Sequence, residues 1–258
     1  MLNVTKPLII GHRGSSIFAP ENTMIAFKQA FDDGADGIEF DVQLSNDGVP
    51  VVIHDATLKR TGGRYERVYD LNSSELCKVD VGSWFNRRFP QKAKGDFSKA
   101  TIPTLKDVFE EFKDKPFLLY VEMKLSKGDD YKALALAAAE SIGEYGICKQ
   151  TVVLSFELKA IKELKRIAPE IRTAALFEPR FLRLVRRKKR LVSEAIAHDA
   201  DEIALHFTLS TRPTVQSAKE AGLKTVIWTT DNSAWVERAT RYGIRAIITN
   251  NPAKMIAD

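Results

Sequence analysis

The sequence predicts an α/β chain folded as a TIM-type (β/α)8 barrel with a small insertion after the second strand region. Three observations point there. Strand-length apolar runs alternate with helical patterns almost throughout, which implies parallel strands joined by right-handed crossovers. About eight such units fit within 258 residues, a length that α/β barrels commonly reach as one unit. No GxGxxG opens the first helix, as an open dinucleotide-binding sheet would require. The expected organisation is a single domain over 1–258 with an inserted lobe at about 56–100.

The first run, Leu8–Gly11, ends on Gly11-His12-Arg13-Gly14. A turn needs Gly, Asn or Asp, not an imidazole followed by a guanidinium. "ENTMIAFKQAFDDG" then places Met24, Phe27, Ala30 and Phe31 on one helical face. The runs Gly37–Leu44 and Val49–Ile53 follow. From Ala56 to Ala100 the rhythm breaks into mixed polar and aromatic sequence, and Trp84, Phe85 and Phe89 are expected to pack that lobe onto the body. "TLKDVFEEF" opens on Thr104, an expected N-cap. Next come Phe117–Lys124, the helix formers of "YKALALAAAESIGEYG", Thr151–Ser155, "FELKAIKELKRIAPE" and Ile171–Phe177. The chain closes with Glu202–Leu205, "PTVQSAKEAG", Lys224–Thr229, "SAWVERATRYG" and Ala246–Thr249. The last two of these helical stretches end at glycine, a usual stop. There is one strand-like run more than an eight-stranded barrel takes, so one is assigned to an insertion or extension.

Composition narrows the class. With 44% hydrophobic and 28% charged residues, the chain can bury a large core without disulfide staples. Cys77 and Cys148 form no CxxC and no framework, which reads as reduced thiols. The start, MLNVTKPLII, is too short for a signal peptide's apolar core, and no run has the length of a membrane span, so a cytoplasmic location is expected. The net charge of +5 is modest. Much of it lies in Arg183–Arg190, read as a solvated face, with Arg186–Arg190 offering contact to an anionic surface but no stable membrane insertion. No nucleic-acid-binding module is recognisable. The oligomeric state is open, and a homodimer would be ordinary.

Residues i and i+2 of a strand point to the same side. Glu39 and Asp41 in GIEFDVQL obey this, as do Glu122 and Lys124 in YVEMKL. Each pair lies at the C-terminal end of its run, where barrel active sites sit. His12 and Arg13 end the first run and His54 ends VVIHD. Three carboxylates offer hard oxygen ligands, suited to one divalent cation, Mg2+ or Ca2+, rather than zinc. Arg13 and Lys124 add fixed positive charge suited to a phosphate. Two histidines can exchange protons near neutral pH. Together these fit cleavage of a phosphodiester. A Schiff-base role for Lys124 would need a lowered pKa, and clustered carboxylates raise it instead. Trp228 and Phe18 are candidate walls for the substrate, Phe156 is placed at the barrel top, His206 within reach of the site and His198 at a helix end. Asp55 is expected to point away from His54 and brace its loop.

"GHRGSSIFAPENTMIAF", "GADGIEFDVQLSNDGVPVVIHDATLKRT", "IPTLKDVFEEF", "LYVEMK" and "VIWTT…GIRAIITNNP" resemble, in order and over nearly the whole chain, the glycerophosphodiester phosphodiesterase family. The resemblance implies a TIM-type barrel with a small insertion and a metal-dependent hydrolysis of glycerophosphodiesters, such as glycerophosphocholine or glycerophosphoethanolamine, to sn-glycerol 3-phosphate and an alcohol. It implies His12 and His54 as the acid/base pair, Glu39, Asp41 and Glu122 as metal ligands, and Arg13 and Lys124 as phosphate ligands. A lysophospholipase D acting on lysophospholipids with the same site is the alternative. The chain departs from the family pattern at Arg60-Thr61-Gly62-Gly63-Arg64, at Thr230-Asp231-Asn232 after Trp228, and at Thr249-Asn250-Asn251-Pro252, where the family often has T-D-x-P.

Overall fold

Each strand-like run carries a strand in the computed structural model, which describes residues 6–126, 128–179 and 188–257. They are β1 (Leu8–His12), β2 (Gly37–Leu44), β3 (Pro50–Val52), β4 (Leu118–Met123), β5 (Thr151–Ser155), β6 (Arg172–Phe177), β7 (Glu202–His206), β8 (Lys224–Trp228) and β9 (Ala246–Thr249). Eight of them pair in parallel in the cyclic order β1, β2, β4, β5, β6, β7, β8, β9, and β9 pairs back with β1 to close a barrel. The ninth, β3, is the extra run. It lies antiparallel on β2 with Val52 opposite Val42. His54 therefore does not end a barrel strand, as the pattern alone suggested. It is brought back toward Asp41 by a hairpin, and the Ile53 N–H donates to the Asp41 carbonyl at 3.0 Å.

Strand alternation separates two apolar layers. Inside the barrel pack Ile10, Tyr120, Val152, Leu154, Ala174, Leu176, Ala204, Val226, Ala246 and Ile248. Their neighbours along each strand face outward, where Ile38, Phe40, Leu119, Val121 and Val153 meet Phe27, Phe109, Phe112, Leu134, Ile161 and Leu164 of the surrounding helices. Each large side chain buried this way is worth about 1.5–3 kcal/mol. The helix Leu105–Phe112 is opened by Thr104, whose hydroxyl accepts from the Asp107 N–H while the Asp107 carboxylate accepts from the Thr104 N–H. This reciprocal cap satisfies two donors that the first turn cannot.

The floor of the barrel is ionic. Glu202 is fully buried, accepts from the Tyr120 hydroxyl at 3.1 Å, and faces Arg245 Nε at 3.3 Å and Arg172 at 3.9 Å. The segment between β3 and Leu105–Phe112 holds only short helices, among them Lys59–Gly62, Ser73–Leu76 and Ser83–Arg88. It is held by two small apolar clusters. One joins Val51 and Ile53 to Leu58, Val68, Leu76, Val79, Val81 and Ile102. The other seats Phe85 and Phe97 on Ala19 and Ala26, with Trp84 and Phe89 at its margin. Cys77 and Cys148 are free thiols. Among the described residues no helix is long and apolar enough to cross a membrane. Of the basic run, Arg183, Arg186 and Arg187 lie outside the described residues.

Candidate active site

The GHRG turn is built by its glycines. A Cβ on Gly14, at φ +85°, would stand 2.5 Å from the Ala26 carbonyl carbon, and one on Gly11 would stand 2.9 Å from the Gly14 oxygen. Only glycine tolerates such approaches. Between them Arg13 adopts φ +54°, a conformation that costs a non-glycine residue about 1 kcal/mol. The reversal leaves His12 in line with β1 and turns Arg13 across the mouth. The Arg13 N–H donates to the Glu39 carbonyl at 2.6 Å. Its guanidinium donates to Glu21 at 2.7 Å and lies 3.0 Å from Asp41.

Strand register then assembles the acids. His12 is paired across the ladder with Glu39, and Asp41 with Glu122. Glu39, Asp41 and Glu122 are all buried, and one carboxylate oxygen from each lies within 4.8 Å of the others. Lys124 Nζ sits 2.7 Å from Glu122 and 3.3 Å from Asp41. Asn22, also left-handed at φ +56°, clamps Asp41 from both sides. Its amide donates to Oδ2 at 2.8 Å and its oxygen accepts from the Asp41 N–H at 3.3 Å.

Burial and mutual repulsion split the three acids. Burial works against charge on Asp41, but Arg13 and Lys124 more than offset it and hold its carboxyl down at about 2. Burial, then the negative charge of Asp41, pushes Glu122 up to about 7 against the pull of Lys124. Burial and both other acids push Glu39 well above the usual carboxylate range. Asp41 Oδ1 is buried without a hydrogen bond. Three converging hard oxygens, two of them reluctant to ionise unaided and one with free lone pairs, suit a divalent cation. A small cavity of about 20 Å3 opens between His12, Glu39, Glu122 and Trp228, enough for one ion or water.

The histidines flank this group. His12 Nδ1 is 2.7 Å from Asn250 Oδ1, and its Nε2 stands 3.9 Å from Glu39. Burial, helped by the Arg13 charge, lowers its pKa to about 4. His54 is also lowered, chiefly by burial and against the pull of Asp41. Asp55 does not point away from it. One Asp55 oxygen lies 2.6 Å from His54 Nδ1 and the other accepts from Arg60 Nε at 2.6 Å. Arg60 also forks onto Glu21, with two bonds of 2.8 Å, so His54, Asp55, Arg60, Glu21 and Arg13 form one connected chain. Burial opposes Lys124's charge, yet Asp41 and Glu122 raise its pKa overall, which leaves it a cation and not an amine nucleophile.

The opposite half of the mouth is aromatic. Trp228 meets Phe156 and His206 edge-on, each with centroids 5.4 Å apart, and its indole N–H donates to the Ala204 carbonyl. His206 Nδ1 lies 2.7 Å from the Thr208 hydroxyl. Phe18 stands apart, beside Lys92. His198 contacts the Glu194 carbonyl near its helix end, away from the mouth. A groove of about 540 Å3 leads outward from Lys124, between the turn at Ser45–Gly48, Tyr69 and the start of the helix Tyr131–Glu144. The segment Pro20-Glu21-Asn22-Thr23 reads in the sequence as a brace for the GHRG loop, and Glu21 and Asn22 do hold Arg13 and Asp41; Asp55 and Asn250 are site members that residue reading did not include. Asn250 continues the inward alternation of Ala246 and Ile248, a signal that was available.

Comparison with known proteins agrees with this geometry. Residues 12–254 match the family model described as the glycerophosphoryl diester phosphodiesterase family. A glycerophosphodiester phosphodiesterase of Caldanaerobacter subterraneus is 34% identical over 97% of both chains. Among solved structures, an Oleispira antarctica phosphodiesterase in complex with the product sn-glycerol-3-phosphate superposes with a TM-score of 0.83 at 26% identity, covering 98% of this chain and 96% of that one. A glycerophosphodiester phosphodiesterase of Agrobacterium tumefaciens superposes with a TM-score of 0.77 at 30% identity, covering 98% and 100%.

Proposed function

The chain belongs to the glycerophosphoryl diester phosphodiesterase family and is a phosphodiesterase, and we propose that it hydrolyses water-soluble glycerophosphodiesters such as glycerophosphocholine or glycerophosphoethanolamine. The products are sn-glycerol 3-phosphate and the free alcohol. The observation that carries this reading is the buried Glu39, Asp41 and Glu122 group, bordered by Arg13 and Lys124 and flanked by two histidines whose pKa values are lowered.

Glu39, Asp41 and Glu122 would hold one divalent cation, Mg2+ or Ca2+, which supplies positive charge to the phosphoryl oxygens and stabilises the charge that builds there. Arg13 and Lys124 orient the phosphate through the remaining oxygens. The two histidines divide proton transfer by their partners. His12 is neutral at pH 7 and its Nδ1 contacts a neutral amide, so its Nε2 lone pair takes the proton of the attacking hydroxyl. That hydroxyl belongs to water or to the neighbouring carbon of the glycerol, in which case water opens the resulting cyclic phosphate. Burial lowers the His54 pKa, and the Asp55 carboxylate works against it; a bound phosphate anion adds to the Asp55 side and favours the protonated form in the substrate complex. His54 gives its proton to the departing alkoxide. Trp228 and Phe156 form a wall against the carbon skeleton of the substrate.

The test is a coupled assay for glycerol 3-phosphate with glycerophosphocholine, in EDTA and then with excess Mg2+ or Ca2+. Product that appears only with metal supports both the reaction and the carboxylate site. Product from lysophosphatidylcholine alone would replace this reading with the lysophospholipase D one.

A further inference from the structure

We infer that Asn250 and Asp231 are positioning residues for His12: Asp231 fixes the Asn250 amide, and Asn250 holds His12 as the Nδ1–H tautomer with its Nε2 lone pair turned into the mouth. The inference deepens the assignment of His12 as the base and rests on it for its catalytic consequence.

The direction of each bond follows from what each group can do. The Asp231 carboxylate is surrounded by donors. It accepts from the Thr249 hydroxyl at 2.8 Å, from the Asn250 N–H at 2.8 Å and from Asn250 Nδ2 at 3.0 Å. A carboxylate in that setting only accepts, so the NH2 end of the Asn250 amide must face it. The oxygen end is thereby turned the other way, toward His12 Nδ1 at 2.7 Å and the Ser16 hydroxyl at 3.1 Å. An amide oxygen only accepts, so His12 Nδ1 must carry the hydrogen. Nε2 is then the unprotonated nitrogen, and it faces Glu39. The device spans three barrel strands: His12 ends β1, Asp231 follows β8 and Asn250 follows β9. Lys254 ties it down by donating to the Asp231 carbonyl at 3.1 Å.

The arrangement also explains why the acceptor can be neutral. A carboxylate touching His12 would favour the imidazolium, the wrong state for a group that must begin as a base. Placing the amide between imidazole and carboxylate keeps the tautomer fixed without that charge at contact distance.

The test uses protein labelled with 15N in its histidines, with Mg2+ present, read by long-range 1H–15N spectra and by kcat and KM on glycerophosphocholine. The wild-type His12 signal is expected from the Nδ1–H tautomer. Asp231→Asn removes the fixed acceptor and lets the Asn250 amide turn. It should give mixed tautomers and lower kcat about tenfold with little change in KM. Asn250→Asp alone sets two carboxylates against each other and should also lose activity. The exchange Asp231→Asn with Asn250→Asp leaves one carboxylate and one amide in the same chain of bonds, and should restore a single Nδ1–H tautomer in the neutral ring, while the carboxylate now on His12 moves the acidic limb of the kcat profile to higher pH. A wild-type Nε2–H tautomer overturns the inference without any variant, so a misfolded variant cannot shelter it. So does an exchange no better than either single change. An Nδ1–H tautomer in a protein that hydrolyses no glycerophosphodiester would sink the proposed function and leave this inference standing.

Discussion

Replacing Glu122 by Gln should stabilise the metal-free protein at alkaline pH while weakening its hold on a divalent cation. The Glu122 carboxyl rises from an ordinary 4.5 to about 7, because it is buried beside Asp41. At about 1.4 kcal/mol per pKa unit this is a charge penalty of about 3 kcal/mol. The sign follows from linkage. A carboxyl whose folded pKa is raised favours the folded state fully below its unfolded value, and that contribution is lost as pH rises through about 7. Metal-free wild-type protein should therefore lose stability between about pH 4.5 and pH 8. The E122Q variant should lack that component and, in EDTA at pH 8, melt higher by roughly 6–12 °C, taking about 2–4 °C per kcal/mol for a chain of this size. At pH 4.5 the two should melt nearly together. In excess cation the order should reverse at pH 8, since a ligand at about a thousand times its Kd adds about 4.1 kcal/mol to the protein that binds it, more than the charge penalty. Melting curves in EDTA and in Mg2+ or Ca2+ at both pH values decide the matter. An E122Q protein that melts no higher than wild type in EDTA at pH 8 would refute the account of the acidic group as strained without a cation.

Three further outcomes follow from the site and its scaffold. His12→Ala and His54→Ala should each fold, as judged by melting, and lose turnover by about a hundredfold or more; near-normal turnover in either would remove that histidine from the acid/base pair. Asp55→Asn should weaken the hold of His54 on its proton, so the alkaline limb of the kcat profile should move to lower pH by on the order of one unit, and an unmoved limb would unseat Asp55. At the barrel floor, Glu202→Ala should leave Arg245 and Arg172 without their shared partner and cost about 3 kcal/mol, read as a lower melting temperature with unchanged kcat at low temperature; a neutral result would mean that water compensates both guanidinium groups.

The barrel and the acids were legible because they obey periodicities. Strand alternation places Glu39 with Asp41 and Glu122 with Lys124 whatever the neighbouring strand is, and the barrel only brings those faces together. What the pattern could not show was direction in space. VVIHD has the same apolar run as a barrel strand, yet β3 runs antiparallel on β2; the distinguishing signal lies outside the run, in the short Asn46-Asp47-Gly48 link, which suits a hairpin and is too short for a parallel crossover. Asp55 was misread for a related reason. Alternation sends consecutive residues to opposite faces only inside a strand, and His54 and Asp55 lie beyond β3, where the chain bends and the rule lapses.

Asn250 shows the opposite failure, in which the pattern was present but its chemistry was discounted. The alternation of Ala246 and Ile248 aims the next inward position, Asn250, into the mouth. A neutral amide attracts less notice than a carboxylate or an imidazole, and in the sequence it stood out only as a departure from T-D-x-P. Asp231 stood out only as a second departure, 19 positions earlier. The structure bonds the two directly, through both backbone and side chain. Two deviations that look independent in the chain are one local exchange in space, a carboxylate set one link behind an amide. Separate substitutions at the two positions should therefore be non-additive, because each alters the partner that the other requires.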